Sequence, residues 1–102
     1  MVGRHPQKLA LLSDWGITTG TAEDVGAGAF YVAVECTGTS DGFALAHRSM
    51  LPRGTGPWCS KCTYAGKLAL DASALVVDEM AVVALHCGSF AAGVADIARG
   101  AC

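Results

Sequence analysis

The sequence predicts an α/β domain with a parallel sheet of about three to four strands and flanking helices. Apolar segments of strand length alternate with segments of helical periodicity, in the order α, β, α, β, α, β, α. Alternation of this kind is typical of parallel strands joined by helical crossovers. The chain has 102 residues and contains no repeat or linker. We therefore expect a single domain over residues 1–102.

The first helix is predicted over residues 6–15. Pro6 suits the first helical turn, because its fixed φ angle matches the helix and its missing amide hydrogen is not needed there. Gly16 is placed to end the helix. The apolar side chains recur at spacings of three and four and are expected to form one apolar face: Leu9, Leu11, Leu12 and Trp15.

The clearest strand–helix unit spans residues 29–51. Residues 29–35 are predicted to form a strand with both faces buried, as parallel strands usually are. Ser40 or Asp41 is expected to cap the helix that follows. The side chains expected to line one face of this helix are Phe43, Ala46, His47 and Met50.

Two further strand–helix units are predicted in the second half of the chain. Residues 54–63 and 80–86 are predicted strands. Asp71 is expected to cap a short helix over residues 72–78, and Ser89 is expected to cap the last helix. That last helix is predicted to end at Gly100 and to carry an apolar stripe of Phe90, Val94 and Ile97.

Composition excludes several classes of function. Hydrophobic residues make up 52% of the chain and charged residues 16%, which favours a folded core over disorder. The net charge is −2 and the seven Lys and Arg are scattered, whereas a nucleic-acid-binding face needs clustered positive charge. No apolar stretch reaches the roughly 18–20 residues of a membrane span. With no secretory signal and an odd number of cysteines, five, we expect a cytoplasmic protein with reduced thiols.

Five short motifs, in their order and spacing, carry a family resemblance. They are residues 4–10 (RHPQKLA), 34–38 (VECTG), 51–55 (LPRGT), 63–67 (TYAGK) and 78–83 (DEMAVV). Together they resemble the second half of the nucleotide-binding domain of the medium-chain, zinc-type alcohol dehydrogenases. The resemblance implies a partial Rossmann-like, doubly wound sheet. It also implies a parent reaction in which hydride passes between NAD(P) and an alcohol or carbonyl compound.

The same resemblance implies six cofactor-binding residues. The turn that would contact the adenosine ribose contains Arg4 and His5 and no acidic residue, which favours NADP over NAD. Cys36 and Thr37 follow the strand that would meet the cofactor. The remaining pair, expected near the nicotinamide, is Thr63 and Tyr64.

Two features of the family are missing from this sequence. The glycine-rich loop G-x-G-x-x-G would precede Met1, so no helix N-terminus is available to bind the pyrophosphate. The zinc ligands belong to a separate catalytic domain, so zinc is expected only there. We therefore expect a fragment that is inactive alone and binds dinucleotide weakly at most. Its open sheet edge is expected to favour self-association.

The segment W-C-S-K-C at residues 58–62 suggests a different function. Thioredoxin-like dithiol redox proteins carry W-C-x-x-C at a helix N-terminus, where the helix dipole lowers the pKa of the first thiol. Cys59 and Cys62 are instead both predicted to lie within the strand of residues 54–63, where residues three apart point to opposite faces. The same pair with His86 and Cys87 makes a poor zinc site, because a strand end would point these two adjacent side chains apart. A remnant without enzymatic activity is the third alternative.

Overall fold

The computed structural model describes residues 1–53, 58–60, 64–86 and 88–100. Helices and strands alternate along these residues. They are α1 (Pro6–Ser13), a 3₁₀ turn (Ala22–Asp24), β1 (Ala33–Glu35), α2 (Ser40–Ser49), β2 (Trp58–Ser60), α3 (Ala72–Val77), β3 (Val82–Ala84) and α4 (Phe90–Ala98).

The three strands form one parallel sheet in the order β1-β2-β3. Each strand pairs with the next one in the chain, and α2 and α3 lie in the connections. In the register of this sheet, Glu35 lies opposite Ser60, and Ser60 lies opposite Ala84. The carboxyl ends of the strands therefore meet at one edge, together with the turn that follows β1. A partial Rossmann-like, doubly wound arrangement around this sheet stays a prediction.

Helix α1 begins at the predicted residue, Pro6, but ends at Ser13. The chain reverses after it through Gly16, whose φ of +77° is readily adopted by glycine. Leu9 is buried, whereas Leu11 and Trp15 are 67% and 63% exposed. The predicted apolar face of α1 is therefore buried only in part, in a narrow stripe centred on Leu9.

Helix α2 is capped by Thr39, one residue before the predicted Ser40. The Thr39 backbone is extended, and its Oγ1 accepts a 3.1 Å hydrogen bond from the Gly42 amide. Ser40 is already the first helical residue. Three consecutive residues here are able to cap a helix, and the extended backbone at Thr39 decides which of them does.

The core forms where α2 packs on the sheet. Phe43, Ala46 and Ser49 of this helix are buried, as is Met50, which caps its C-terminus. The burial of Phe43, Ala46 and Met50 confirms the predicted face of α2. His47 is half-buried, with its Nε2 atom 3.7 Å from the Asp78 carboxylate. The partly buried side chains packed against this cluster are Ala33, Tyr64, Leu68, Leu75 and Met80.

Strand β1 buries one face instead of the predicted two. Ala33 and Glu35 point towards the core, whereas Val34 is 58% exposed. Alternate side chains of a strand face opposite sides, so α2 covers one side of β1. Within the described part of the chain, no helix packs on the other side. The strand is also shorter than predicted, since residues 29–32 contribute a single isolated bridge between Phe30 and Met50.

The last two helices begin where the sequence predicts. Asp71 caps α3 through hydrogen bonds that its Oδ1 accepts from the amides of Ser73 and Ala74, at 3.0 and 3.2 Å. Ser89 caps α4, and Gly100 follows that helix with a φ of +65°. The predicted apolar stripe of α4 faces solvent, with Phe90 87% exposed. Its periodicity therefore marks an apolar face that the described residues do not cover.

We propose that this chain self-associates through the open edge at β1. Its accessible surface is 7406 Å², against about 5,400 Å² for a folded monomer of the same mass. Exposed apolar side chains such as Val34 lie on an edge strand, where the backbone is able to pair with another chain.

We expect sedimentation equilibrium to give an average mass that rises with protein concentration. Val34→Lys should reduce this rise, because a charged side chain on an edge strand opposes pairing. The matched control is Val76→Lys on α3, which is also exposed. A wild-type chain that stays monomeric and unfolds in one sharp transition well above about 45–65 °C would contradict the proposal.

Candidate functional site

A groove of about 740 Å³ lies between the amino-terminal segment and the start of α2. Its walls come from four parts of the chain: the first residues, the 3₁₀ turn, the turn after β1 and helix α2. The polar and charged residues that line it include Arg4, Glu23, Thr37, Thr39, Asp41 and Arg48. The lining thus combines two cations, Arg4 and Arg48, with two carboxylates, Glu23 and Asp41.

The amino-terminal wall is held by backbone hydrogen bonds. The Gly3 amide donates to the Gly20 carbonyl at 3.1 Å, and the Gly20 amide donates to the Met1 carbonyl at 3.0 Å. These bonds place Arg4, which is exposed, at the rim of the groove. These bonds fix the backbone beside Arg4.

The 3₁₀ turn forms the next wall through a capping box. The Thr21 amide donates to Asp24 Oδ2 at 2.7 Å, and the Thr21 hydroxyl donates to the same oxygen at 2.9 Å. These two bonds, the amide first, hold the pKa of Asp24 below its usual value. Arg48 connects α2 to this turn, because its Nη2 donates to the Ala22 carbonyl at 3.5 Å.

The turn after β1 forms the third wall and is organised by a buried carboxylate. Glu35 is 3% exposed. Its Oε1 atom accepts hydrogen bonds from the Thr37 amide at 2.5 Å, the Thr37 hydroxyl at 2.6 Å and the Gly38 amide at 3.0 Å. Its Oε2 atom accepts from the Tyr64 hydroxyl at 2.5 Å and the Ser60 hydroxyl at 3.3 Å. We call these five residues the Glu35 cluster.

The Glu35 carboxylate is ionised in this cluster. Burial raises the pKa of Glu35, but the hydrogen bonds from the Thr37 hydroxyl, the Tyr64 hydroxyl and the amides of Thr37 and Gly38 outweigh it. Its pKa therefore lies below the usual value. Five hydrogen bonds converge on a carboxylate that offers about four acceptor positions, so none of these positions is left for a substrate. Glu35 is thus suited to holding the surrounding segments in place, and poorly suited to taking a proton from a substrate.

Thr37 connects the Glu35 cluster to the groove. Its hydroxyl oxygen lies 2.9 Å from the Thr39 hydroxyl and accepts a 3.2 Å hydrogen bond from the Thr39 amide. Its side chain also lies directly over Gly42, where an added Cβ atom would be 2.0 Å from Thr37 Oγ1. The glycine therefore allows the turn to sit against the first turn of α2.

The structure brings some of the six predicted cofactor-binding residues together. Arg4 and Thr37 line the same groove, and Tyr64 reaches Thr37 through Glu35. His5 and Cys36 are exposed and do not line the groove. The sixth residue, Thr63, lies outside the described residues.

Sequence reasoning missed Glu35 and Ser60. An acidic residue at the end of an apolar run is typical of an exposed strand end, and its hydroxyl partners follow 25 and 29 residues later. One signal was available. Glu35 and Ser60 lie in successive predicted strands, and successive parallel strands bring their carboxyl ends to one edge of a sheet.

The cysteine-based alternatives gain no support from the fold. Cys59 lies in β2, whereas a thioredoxin-like site needs its first cysteine at a helix N-terminus. Cys62 and Cys87 lie outside the described residues. Among those that are described, no group of three or more His, Cys, Asp or Glu side chains is arranged to hold a metal ion. No helix in the same part of the chain is long and apolar enough to cross a membrane.

Comparisons with protein-family models, with curated proteins and with solved structures gave no match to this chain.

Proposed function

We propose that this chain supplies the adenosine side of an NADP-binding surface in an oxidoreductase. The parent enzyme would resemble the zinc-type alcohol dehydrogenases and transfer hydride between NADP and an alcohol or carbonyl compound. One observation carries the proposal. Arg4 and Thr37, which the resemblance assigns to cofactor binding, come from distant parts of the sequence and line one groove.

The groove has the chemistry that a phosphorylated adenosine needs. The Arg4 guanidinium is always charged and has several donors that match the oxygens of a 2′-phosphate. The hydroxyl of Thr39 and the carboxylate of Asp41 line the same groove and provide acceptors for ribose hydroxyls or the adenine amino group. Arg48 adds a second positive charge to this lining, and Glu23 adds a second carboxylate.

The chain offers fewer contacts to the pyrophosphate and nicotinamide parts of the dinucleotide. The sequence contains no glycine-rich loop for the pyrophosphate, so affinity should be millimolar or weaker, worth at most about 4 kcal/mol. The nicotinamide supplies the hydride chemistry when it is bound. Among the described residues, no group of side chains matches the set of ligands that binds zinc in this family. We therefore expect no dehydrogenase turnover from this chain alone.

The test is a nucleotide titration followed by amide NMR shifts. We expect Arg4→Ala to weaken NADP binding about three- to tenfold and to change NAD binding by less than about twofold, because a solvent-exposed charge pair contributes about 1 kcal/mol. Lys8→Ala is the matched control, since Lys8 is an exposed cation one helical turn away that does not line the groove.

Three results would remove Arg4 from the 2′-phosphate role. These are equal losses for NADP and NAD, an equal effect of Lys8→Ala, or shifts confined to residues outside the groove. Absence of binding by the wild-type chain at tens of millimolar nucleotide would overturn the proposed function itself.

A further inference from the structure

The two carboxylate oxygens of Glu35 serve different segments of the chain. Oε1 holds the turn after β1 through Thr37 and Gly38. Oε2 holds the end of β2 and the segment beyond it through Ser60 and Tyr64. Both oxygens belong to one rigid, planar group. When Ser60 and Tyr64 fix the position of Oε2, they therefore also restrict the position of Oε1, to which Thr37 and Gly38 donate.

Tyr64 is fixed from a second direction by the core. Its ring packs edge-on against Phe43 of α2, with ring centroids 6.0 Å apart and an angle of 81° between the planes. Its hydroxyl lies 3.2 Å from the Ser60 hydroxyl. Tyr64 is thus a hydrogen-bond donor to Glu35 whose position is fixed by packing. Tyr64 itself does not line the groove.

We propose that Glu35 is a positioning residue that transmits the placement of Tyr64 to Thr37 in the groove wall. This inference rests on the proposed function for its ligand, an adenosine carrying a 2′-phosphate. Without the Tyr64 hydroxyl, Oε2 keeps one described donor, the Ser60 hydroxyl at 3.3 Å. The carboxylate then turns more freely, its contacts at Oε1 loosen, and Thr37 no longer holds one position. Nucleotide affinity at the groove therefore depends on a hydroxyl outside it.

The experiment compares Tyr64→Phe with Tyr31→Phe, a tyrosine that is exposed to solvent. The probe is 2′,5′-ADP, which carries the adenosine and both phosphates without the nicotinamide. We expect Tyr64→Phe to shift the Thr37 and Gly38 amide resonances in the ligand-free protein. We also expect it to weaken 2′,5′-ADP binding about three- to tenfold. Tyr31→Phe should do neither.

A double-variant cycle tests whether Glu35 carries the effect. If it does, Tyr64→Phe added to Glu35→Ala should weaken binding no further than Glu35→Ala alone, since alanine removes the carboxylate through which Tyr64 acts. Additive losses would overturn the inference. So would unchanged affinity in Tyr64→Phe while the wild-type chain binds, and in that case the proposed function would stand.

The two proposals fail in different ways. If the wild-type chain binds no 2′,5′-ADP, the proposed function is wrong, and the ligand-free amide shifts alone decide the role of Glu35. Shifts at Thr37 and Gly38 in Tyr64→Phe would then support it, and unmoved resonances would overturn it.

Discussion

Replacing Glu35 by alanine should lower the free energy of unfolding by about 3 kcal/mol, because hydrogen bonds to a buried charged group are among the stronger ones and their donors lose their partner. The amides of Thr37 and Gly38 and the hydroxyls of Ser60 and Tyr64 all donate to this carboxylate. Urea unfolding followed by circular dichroism measures the change. An alanine variant within about 0.5 kcal/mol of wild type would show that surrounding water replaces the cluster.

Glu35→Gln is the informative comparison. Its amide oxygen is able to accept from Thr37 and Gly38, and its amide nitrogen is able to donate to the oxygens of Ser60 and Tyr64. We therefore expect a loss of about 1 kcal/mol, well below that of alanine.

The pH dependence of stability in the wild type and in Glu35→Gln distinguishes the effect of the Glu35 charge from the effect of its side-chain shape. A carboxyl group whose pKa is lowered in the folded state stabilises the fold above its unfolded pKa, and that contribution disappears as the pH falls through the folded pKa. The ordinary value is 4.5, and the pKa of folded Glu35 is lower. Wild-type stability should therefore fall below about pH 4.5, and more steeply than in Glu35→Gln. If stability fell equally steeply with pH in both proteins, the ionisation of Glu35 in the folded state would be contradicted.

Gly42→Ala should destabilise the protein by about 1–3 kcal/mol, the usual cost of forcing an extra carbon into a packed site. The new Cβ atom would lie 2.0 Å from Thr37 Oγ1 and 3.0 Å from two of its carbons. Thr37 is held by Glu35 and Thr39, so it moves away only by breaking those hydrogen bonds. Thermal and urea unfolding measure the loss, and the amide resonances of Thr37 report its displacement.

Gly93→Ala provides the matched control. Gly93 lies inside α4, and an added Cβ atom there would meet nothing within 4 Å. Alanine is the better helix former, so this variant should gain about 0.5–1 kcal/mol. If Gly42→Ala stabilised the protein by a similar amount, the close approach of Thr37 to α2 would be wrong.

Helix starts were accessible from the sequence because their causes are local. Pro6, Asp71 and Ser89 each mark a start through backbone geometry or a side chain that bonds an amide a few residues away. The cap of α2 was placed one residue late, since Thr39, Ser40 and Asp41 are all competent caps. Which of them leaves the helical conformation depends on the turn after β1, which Glu35 holds through Thr37 and Gly38.

Burial and the candidate site were less accessible because their causes are distant. Periodicity identifies the apolar stripe of α4 but does not say whether anything covers it, and Phe90 is exposed. The contact between Glu35 and Tyr64 joins residues 29 positions apart. It depends on strand register, which no short motif encodes. The predicted pair of Arg4 and Thr37 was reached by resemblance, and their shared groove gives that pair a physical setting.

The small core around α2 has a consequence for how the protein responds to temperature. Among the described residues, the buried apolar side chains are Leu9, Phe43, Ala46 and Met50. The heat-capacity change of unfolding comes mainly from apolar surface that becomes hydrated, so a core of this size makes that change small. The stability curve is then shallow, and warming or cooling alters the folded fraction gradually. Any molecule that binds the folded form preferentially then shifts that fraction by mass action.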